Sequence, residues 1–283
     1  MMCKRVLVVG TGYIGKNFAD YAGGKEDIAA DIVDSRSGWQ QIPFDNYDCV
    51  LYAAGIAHRK QTAQNKDLYY DINRDLAVDV AQKAKFAGVG QFIYLSSMSV
   101  YGKKVGEITQ HIKPDPRHND YYAHSKFEAE AKLKNLAQEG FAVAIIRPPM
   151  VYGGDCPGKF GWLVRLAKYL PIVPDTKNKR SMIYIGNLSD FLCRIVLNGT
   201  GGVFCPQNRE HVNTAVLVKL IRAGWGKKTI TVSLPEPLVA NICPAFASLF
   251  YSPVKAGYQI FELEDSVKKS LHSLCTMRVC GEK

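Results

Sequence analysis

Short apolar runs, each closed by glycine, proline or small polar residues, alternate along the chain with longer stretches whose apolar positions recur at helical spacing. Arg5-Val-Leu-Val-Val runs into Gly10-Thr-Gly-Tyr-Ile-Gly15, and a helical pattern over residues 16–22 follows. Further strand-like runs cover residues 28–33, 49–54 and 91–95, and another within 142–153 ends in a proline-stiffened loop. Helical patterns occupy residues 66–86 and a stretch from Asp120 to near Gly140, with Gly140 as a left-handed cap. Runs that are apolar on both faces, separated by helices, predict an α/β fold with a Rossmann-like doubly wound parallel sheet.

The spacing predicts one irregularity. About fourteen residues separate Asp34 from the next strand, too few for a helix, a strand and a second helix. The outer edge of the sheet should therefore be reduced, with residues 38–47 crossing it as a loop or short strand. Beyond residue 155 the alternation loosens. Helices are expected over 160–170, from a cap at Asn187 to 197, and over 214–223 from a cap at Asn213. Strands are expected over 181–185, 228–234 and 258–263, with a short helix from 264. The predicted division is a dinucleotide-binding domain over 1–155 and a smaller mixed α/β substrate lobe over 156–283, some elements returning to the main sheet.

Composition narrows the class. At 283 residues the chain can bury a large core. Its net charge of +10 is scattered rather than run together, so no nucleic-acid tail is expected. A basic cleft that steers anionic substrates fits this charge, and so does a generally basic surface. None of the eight cysteines forms a Cys-x-x-Cys pair. That predicts no metal site and no disulfide framework, and thiols kept reduced in a cytoplasmic protein. The first strand begins within a few residues of Met1, so no signal peptide is expected. Residues 238–254 are apolar but interrupted by Asn241, Pro244 and Ser248, which suits a core or interface helix rather than a membrane span.

Several positions carry candidate chemistry. Gly10, Gly12 and Gly15 allow a tight turn, close approach of a pyrophosphate, and close helix packing, with a helix N-terminus facing the phosphates. Asp34 lies 19 residues past Gly15, where a carboxylate meets the ribose hydroxyls of NAD. Arg36 can hold the extra phosphate of NADP; Asp34 would repel it, so NAD is favoured with NADP possible. Ala53, Ala54 and Gly55 are small residues at a strand end. Asn73 either braces nearby backbone or lies exposed. Pro148 and Pro149 stiffen a loop that suits a wall beside a nicotinamide ring. Ser96, Ser97 and Ser99 follow the strand over 91–95, and Tyr122 and Lys126 share one helix face. The lysine charge should favour the Tyr122 phenolate, moving its pKa down from about 10. Ser97 can hold a substrate hydroxyl or carbonyl against that phenol.

In this order the motifs resemble those of the extended short-chain dehydrogenase/reductase family, within it the nucleotide-sugar epimerases and reductases. The resemblance runs over nearly the whole chain. Gly10-Thr-Gly-Tyr-Ile-Gly15 is similar to the family's cofactor turn. Leu95-Ser-Ser-Met-Ser-Val-Tyr-Gly102 is similar to its serine motif, Tyr122-Ala-His-Ser-Lys126 to its Tyr-x-x-x-Lys, and Arg147-Pro-Pro-Met-Val-Tyr-Gly153 to the segment after its sixth strand. The resemblance implies Ser97, Tyr122 and Lys126 as catalytic residues. It implies Gly10, Thr11, Gly12, Tyr13, Ile14, Gly15, Asp34, Arg36, Ala53, Ala54, Gly55, Asn73, Ser96 and Pro148 at the cofactor, and Ser99, Tyr152 and Arg180 at the substrate. Arg180 would grip a sugar-nucleotide diphosphate. The implied activity is NAD(P)-dependent 4-epimerisation of a nucleotide-sugar, a UDP-hexose first. The alternatives are a 4-ketoreductase consuming NAD(P)H and a non-catalytic NAD(P)-binding regulator. A 4,6-dehydratase is disfavoured because Met98-Ser99 stands where that chemistry needs an Asp-Glu pair. A homodimer through the Tyr122 helix and the helix before it is also implied.

Overall fold

Glycines and β-branched runs punctuate the chain into twelve strands and seven helices among the described residues of the computed structural model. These are residues 3–57, 59–102, 106–109, 111–117, 120–175, 178–235 and 254–256. In chain order come β1 (Lys4–Val9), α1 (Tyr13–Ala22), β2 (Ile28–Val33), β3 (Cys49–Tyr52), α2 (Lys66–Tyr70), α3 (Leu76–Phe86) and β4 (Gln91–Leu95). Then follow β5 (Gly106–Ile108), α4 (Tyr121–Lys134), β6 (Ala142–Ile146), β7 (Met150–Tyr152), α5 (Gly158–Tyr169), β8 (Ile172–Pro174) and β9 (Met182–Tyr184). The last are α6 (Ile185–Asn198), β10 (Gly202–Phe204), α7 (Thr214–Ala223), β11 (Ile230–Val232) and β12 (Val254–Ala256). Two compact units result. Unit 1 takes Met1–Gly102, Lys113–Pro148 and Ile185–Pro206; unit 2 takes Lys103–Ile112, Pro149–Tyr184 and Gln207–Lys283.

Unit 1 is a six-stranded parallel sheet in the order β10-β6-β4-β3-β1-β2. Its central strands β3 and β4 are buried along their length because helices cover both faces. Leu7, Val9, Val50, Tyr52, Phe92, Tyr94, Val143 and Ile145 meet the small side chains Ala77, Ala81 and Ala84 of α3 and Ala129 of α4. The alternate residues Val6, Val8, Leu51, Ile93, Ala144 and Ile146 turn to the other face, where α1 and α6 pack together. This is the doubly wound arrangement.

The edge beyond β2 is reduced, as the spacing requires. Two 3-10 turns, Trp39–Gln41 and Phe44–Asn46, bridge the interval, and β2 is the edge strand. Trp39 and Phe44 of these turns are buried and join the core cluster that includes the α3 alanines. The Lys83 ammonium closes the crossing by donating to the carbonyls of Trp39 (3.1 Å), Gln40 (2.5 Å) and Ile42 (3.0 Å).

Three local readings are corrected. The helix expected over 66–86 is broken at Asp71–Asp75 by a π turn. Helix α4 stops at Lys134, and Gly140 takes its left-handed backbone (φ 79°) in the turn before β6. Helix α6 starts at Ile185, so Asn187 lies inside its first turn instead of capping it. Asn213 caps α7 as expected, accepting from the Val216 amide (3.0 Å), and Asp120 caps α4 by accepting from the Ala123 amide (3.1 Å).

Unit 2 pairs β7 with β9, β8 with β11 and β5 with β12, each in parallel. Arg222 on α7 ties down α5 by donating to the Ala167 carbonyl (2.6 Å). The predicted elements over 258–263 and from 264, the apolar stretch before Val254, and Cys243, Cys275 and Cys280 lie outside the described residues.

Candidate active site

The glycine turn between β1 and α1 is packed on one side and open on the other. Gly10 has φ 127°, and a Cβ there would sit 2.4 Å from the Ala54 amide nitrogen. A Cβ on Gly15 would meet the Gly10 carbonyl oxygen at 2.1 Å. The turn is thereby pressed onto the end of β3, where the Ala53 and Ala54 amides both donate to the Val9 carbonyl (2.9 and 3.0 Å). A Cβ on Gly12 would meet nothing within 4 Å. No side chain caps α1 at Gly12, so the first-turn N–H groups of the helix that starts at Tyr13 and Ile14 face this opening. An open, donor-lined cradle of this kind fits a dinucleotide pyrophosphate.

Asp34 stands at the end of β2. Its carboxylate accepts from the Arg36 amide (2.8 Å), Nε (3.2 Å) and Nη2 (2.9 Å). Arg36 holds the Asp34 carboxyl down at about 2. The two residues read separately in the sequence are one exposed ion pair.

Three elements of unit 1 converge past the ends of β3 and β4. The Ser97 side chain stands close to the phenol of Tyr122, in the first turn of α4, and acts to lower its pKa. Ser97 Oγ donates to Ser99 Oγ and accepts from the Ser99 amide, both at 3.1 Å. One turn on, the buried Lys126 Nζ donates to the Leu95 carbonyl (2.7 Å) and lies 4.6 Å from the Tyr94 ring centroid. Gly55 opens the space beside it: a Cβ there would stand 3.2 Å from Lys126 Nζ and 3.2 Å from Asn73 Oδ1. A phenol close to a serine, with an ammonium against the strand end beside a pyrophosphate cradle, can move a proton next to a bound dinucleotide.

The family model described as NAD dependent epimerase/dehydratase family matches residues 6–204. The chain belongs to the NAD-dependent epimerase/dehydratase family. It is 30% identical to a UDP-glucose 4-epimerase of Vibrio cholerae over 81% of this chain and 73% of that protein. Among solved structures, the fold superposes on a UDP-N-acetylglucosamine 4-epimerase of Methanobrevibacter ruminantium with a TM-score of 0.77, covering 100% of both chains at 16% identity. A dTDP-4-dehydrorhamnose reductase of Bacillus anthracis in complex with NADP gives 0.76 at 17% identity, over 98% of this chain and 100% of that one. Membership makes the chain an NAD(P)-dependent enzyme.

Electrostatics in this family member differ from the expectation for Tyr122. Burial raises its phenol above the ordinary value, and Ser97 acts the other way. Burial also brings Lys126 down to about 7, opposed by the Glu130 charge. Loss of water disfavours both charged forms, and that penalty outweighs the stabilisation the lysine was expected to give the phenolate.

Other expected cofactor residues are engaged within the protein. Asn73 is fully buried in the π turn. Its Oδ1 accepts from the Ile56 amide (2.9 Å), while Nδ2 donates to the Ile56 carbonyl (3.3 Å) and to Ser125 Oγ (3.1 Å). The bracing alternative is the one observed. Ser96 Oγ turns to Glu130 Oε1 (2.5 Å). The buried Pro148 offers its carbonyl to the Met98 amide (3.1 Å), steadying the loop after Ser97. Glu130 and Arg147 were missed as site-supporting residues. Glu130 continues the four-residue spacing of Tyr122 and Lys126, and that spacing was the available signal. Arg147 grips it through Nε (2.9 Å) and Nη2, and donates from Nη1 to the Tyr101 hydroxyl (2.8 Å).

In unit 2, Tyr152 is fully buried, its ring 5.4 Å from Phe160 and 5.7 Å from Tyr184. Its hydroxyl accepts from Asn208 Nδ2 (2.8 Å), so this side chain is core rather than substrate wall. Arg180 is half-buried, paired through its backbone with Val212 (3.0 and 2.9 Å), and burial lowers its guanidinium pKa. Ser99 is exposed beside Ser97. Among the described residues no cluster of His, Cys, Asp and Glu could hold a metal, and no helix is long and apolar enough to cross a membrane. Cys3, Cys49, Cys156, Cys193 and Cys205 are free thiols.

Proposed function

We propose that this enzyme inverts the 4-hydroxyl of a nucleotide-sugar, a UDP-hexose first among them. The observation that carries the reading is the convergence of Ser97, Tyr122 and the buried Lys126 ammonium beside Gly55 at the strand ends. Ser97 holds the sugar O4, and Tyr122 as phenolate takes its proton and later returns it. Lys126 binds the nicotinamide ribose, and its charge offsets part of the cost of the buried phenolate. NAD held by the glycine-turn cradle and Lys126 would supply hydride chemistry at C4, and inversion would follow from the 4-keto sugar turning over in the pocket before reduction. Arg180 binds the nucleotide diphosphate by charge-assisted hydrogen bonds. The name of the Vibrio cholerae relative supports the reading. A homodimer through α3 and α4 and a cytoplasmic setting belong to the same proposal. The free thiols suit a reducing compartment.

A second reading, 4-ketoreduction, is supported by the Asp34–Arg36 pair. An aspartate neutralised by arginine no longer excludes a ribose phosphate, and the guanidinium can receive it. Purified protein should be incubated with UDP-glucose, UDP-GlcNAc and a 4-keto sugar nucleotide while absorbance is followed at the NADH wavelength. Sugar interconversion without net redox is the expected result. Net consumption of NAD(P)H would establish the reductase instead. Replacing Arg36 with Ala is expected to raise the NADP dissociation constant about tenfold, for one lost charged hydrogen bond, and to leave NAD binding intact. Calorimetric titration with each dinucleotide measures this.

A further inference from the structure

The π turn at Asp71–Asp75 is held open from beneath. Widening a helix by one residue leaves carbonyls without their usual i+4 donors, and buried carbonyls need partners. Here the Ile72 carbonyl accepts from the Tyr52 hydroxyl and the Asn73 carbonyl from the Tyr94 hydroxyl, each at 2.6 Å. The two tyrosines come from neighbouring strands, are fully buried, and stack with centroids 6.1 Å apart.

Tyr94 has a second contact that Tyr52 lacks. Its ring lies 4.6 Å from Lys126 Nζ, within cation–π range. Its hydroxyl fixes the residue whose amide clamps both backbone groups of Ile56, just past Gly55. The same amide reaches Ser125 Oγ, which donates to the Tyr122 carbonyl (3.0 Å). One side chain therefore touches, directly or through Asn73, the lysine, the strand end and the turn bearing the catalytic phenol. None of these contacts reaches the glycine turn or Asp34.

We propose that Tyr94 is a positioning residue for the nicotinamide end of the site, its hydroxyl setting Asn73 and its ring setting the Lys126 ammonium. The inference rests on the reading of Lys126 as the group that binds the nicotinamide ribose. It makes affinity for the whole dinucleotide depend on Tyr94 and leaves affinity for the adenine half alone.

The test uses the full chain as wild type, Tyr94→Phe and Tyr94→Leu, titrated with NADH by nicotinamide fluorescence and with ADP by calorimetry. Phe keeps the ring and the volume and removes only the hydroxyl. It is expected to weaken NADH binding about tenfold, because a buried carbonyl loses its donor. Leu removes the ring as well and is expected to cost about a further threefold or more. ADP affinity should be unchanged in both. NADH affinity equal to wild type in the Phe variant overturns the proposal, and this arm stands even where Leu fails to fold. NADH and ADP affinities falling together also overturn it, since that pattern marks a general loss of structure. Wild-type protein that binds ADP but not NADH removes the assignment of Lys126 itself, and this inference with it.

Discussion

Replacing Tyr122 with Phe is expected to cut turnover by about 10²- to 10⁴-fold while leaving NAD(P) affinity near wild type. The substitution removes one oxygen and keeps the ring in the first turn of α4. That oxygen is the proton acceptor of the proposed reaction, and Ser97 acts on it to favour the phenolate. The proposed cofactor contacts are elsewhere: the cradle is backbone of the glycine turn, and Lys126 is held by Leu95 and Tyr94 independently of the phenol. A loss confined to kcat is the signature of an interaction made in the transition state. A protein that only bound dinucleotide would be indifferent to the change. Single-turnover kinetics on enzyme of known NAD(P) content measure the effect. The pH dependence has a defined sign. Burial raises the Tyr122 phenol, so the free enzyme holds it protonated at neutral pH. Sugar oxidation needs the phenolate and should slow as pH falls; reduction of a 4-keto sugar needs the phenol and should persist.

The parts legible in the sequence are those set by neighbours along the chain. Gly10, Gly12 and Gly15 announce their turn because a Cβ at Gly10 or Gly15 collides with backbone. The reduced sheet edge follows from counting residues between Asp34 and Cys49. Tyr122 and Lys126 follow from the helical repeat. The parts that were not legible depend on groups distant in sequence. Residues 66–86 keep the same apolar pattern with or without a π turn; what favours the turn is a pair of hydroxyls on Tyr52 and Tyr94. The direction of the Tyr122 shift depends on burial, which spacing does not report. The capping role expected of Asn187 fails because the chain enters α6 straight from β9. Tyr152 sits in the motif that resembles the family's segment after its sixth strand and was expected at the substrate, yet Phe160, Tyr184 and Asn208 enclose it.

The second large effect is expected from breaking the buried pair of Glu130 and Arg147. Glu130→Ala should destabilise the fold by about 3–5 kcal/mol, since it leaves an arginine charge buried without its partner. Ser96 Oγ loses its acceptor in the same step. Replacing both members, Glu130→Leu with Arg147→Met, removes both charges and should recover most of that loss. Urea midpoints at constant m-value measure each variant. The recovered double variant then separates two roles of Glu130. Its carboxylate sits one turn beyond Lys126 and props up the ammonium against burial. A lysine held down at about 7 is charged below that pH and neutral above it. Removing the supporting charge moves the transition lower still. Where the ammonium is needed for turnover, the alkaline loss of activity should therefore begin at lower pH in the double variant than in wild type. An unchanged pH profile in a variant of restored stability would reduce Glu130 to a clamp between α4 and the end of β6. A shifted profile would make the pair part of how this helix keeps its lysine charged.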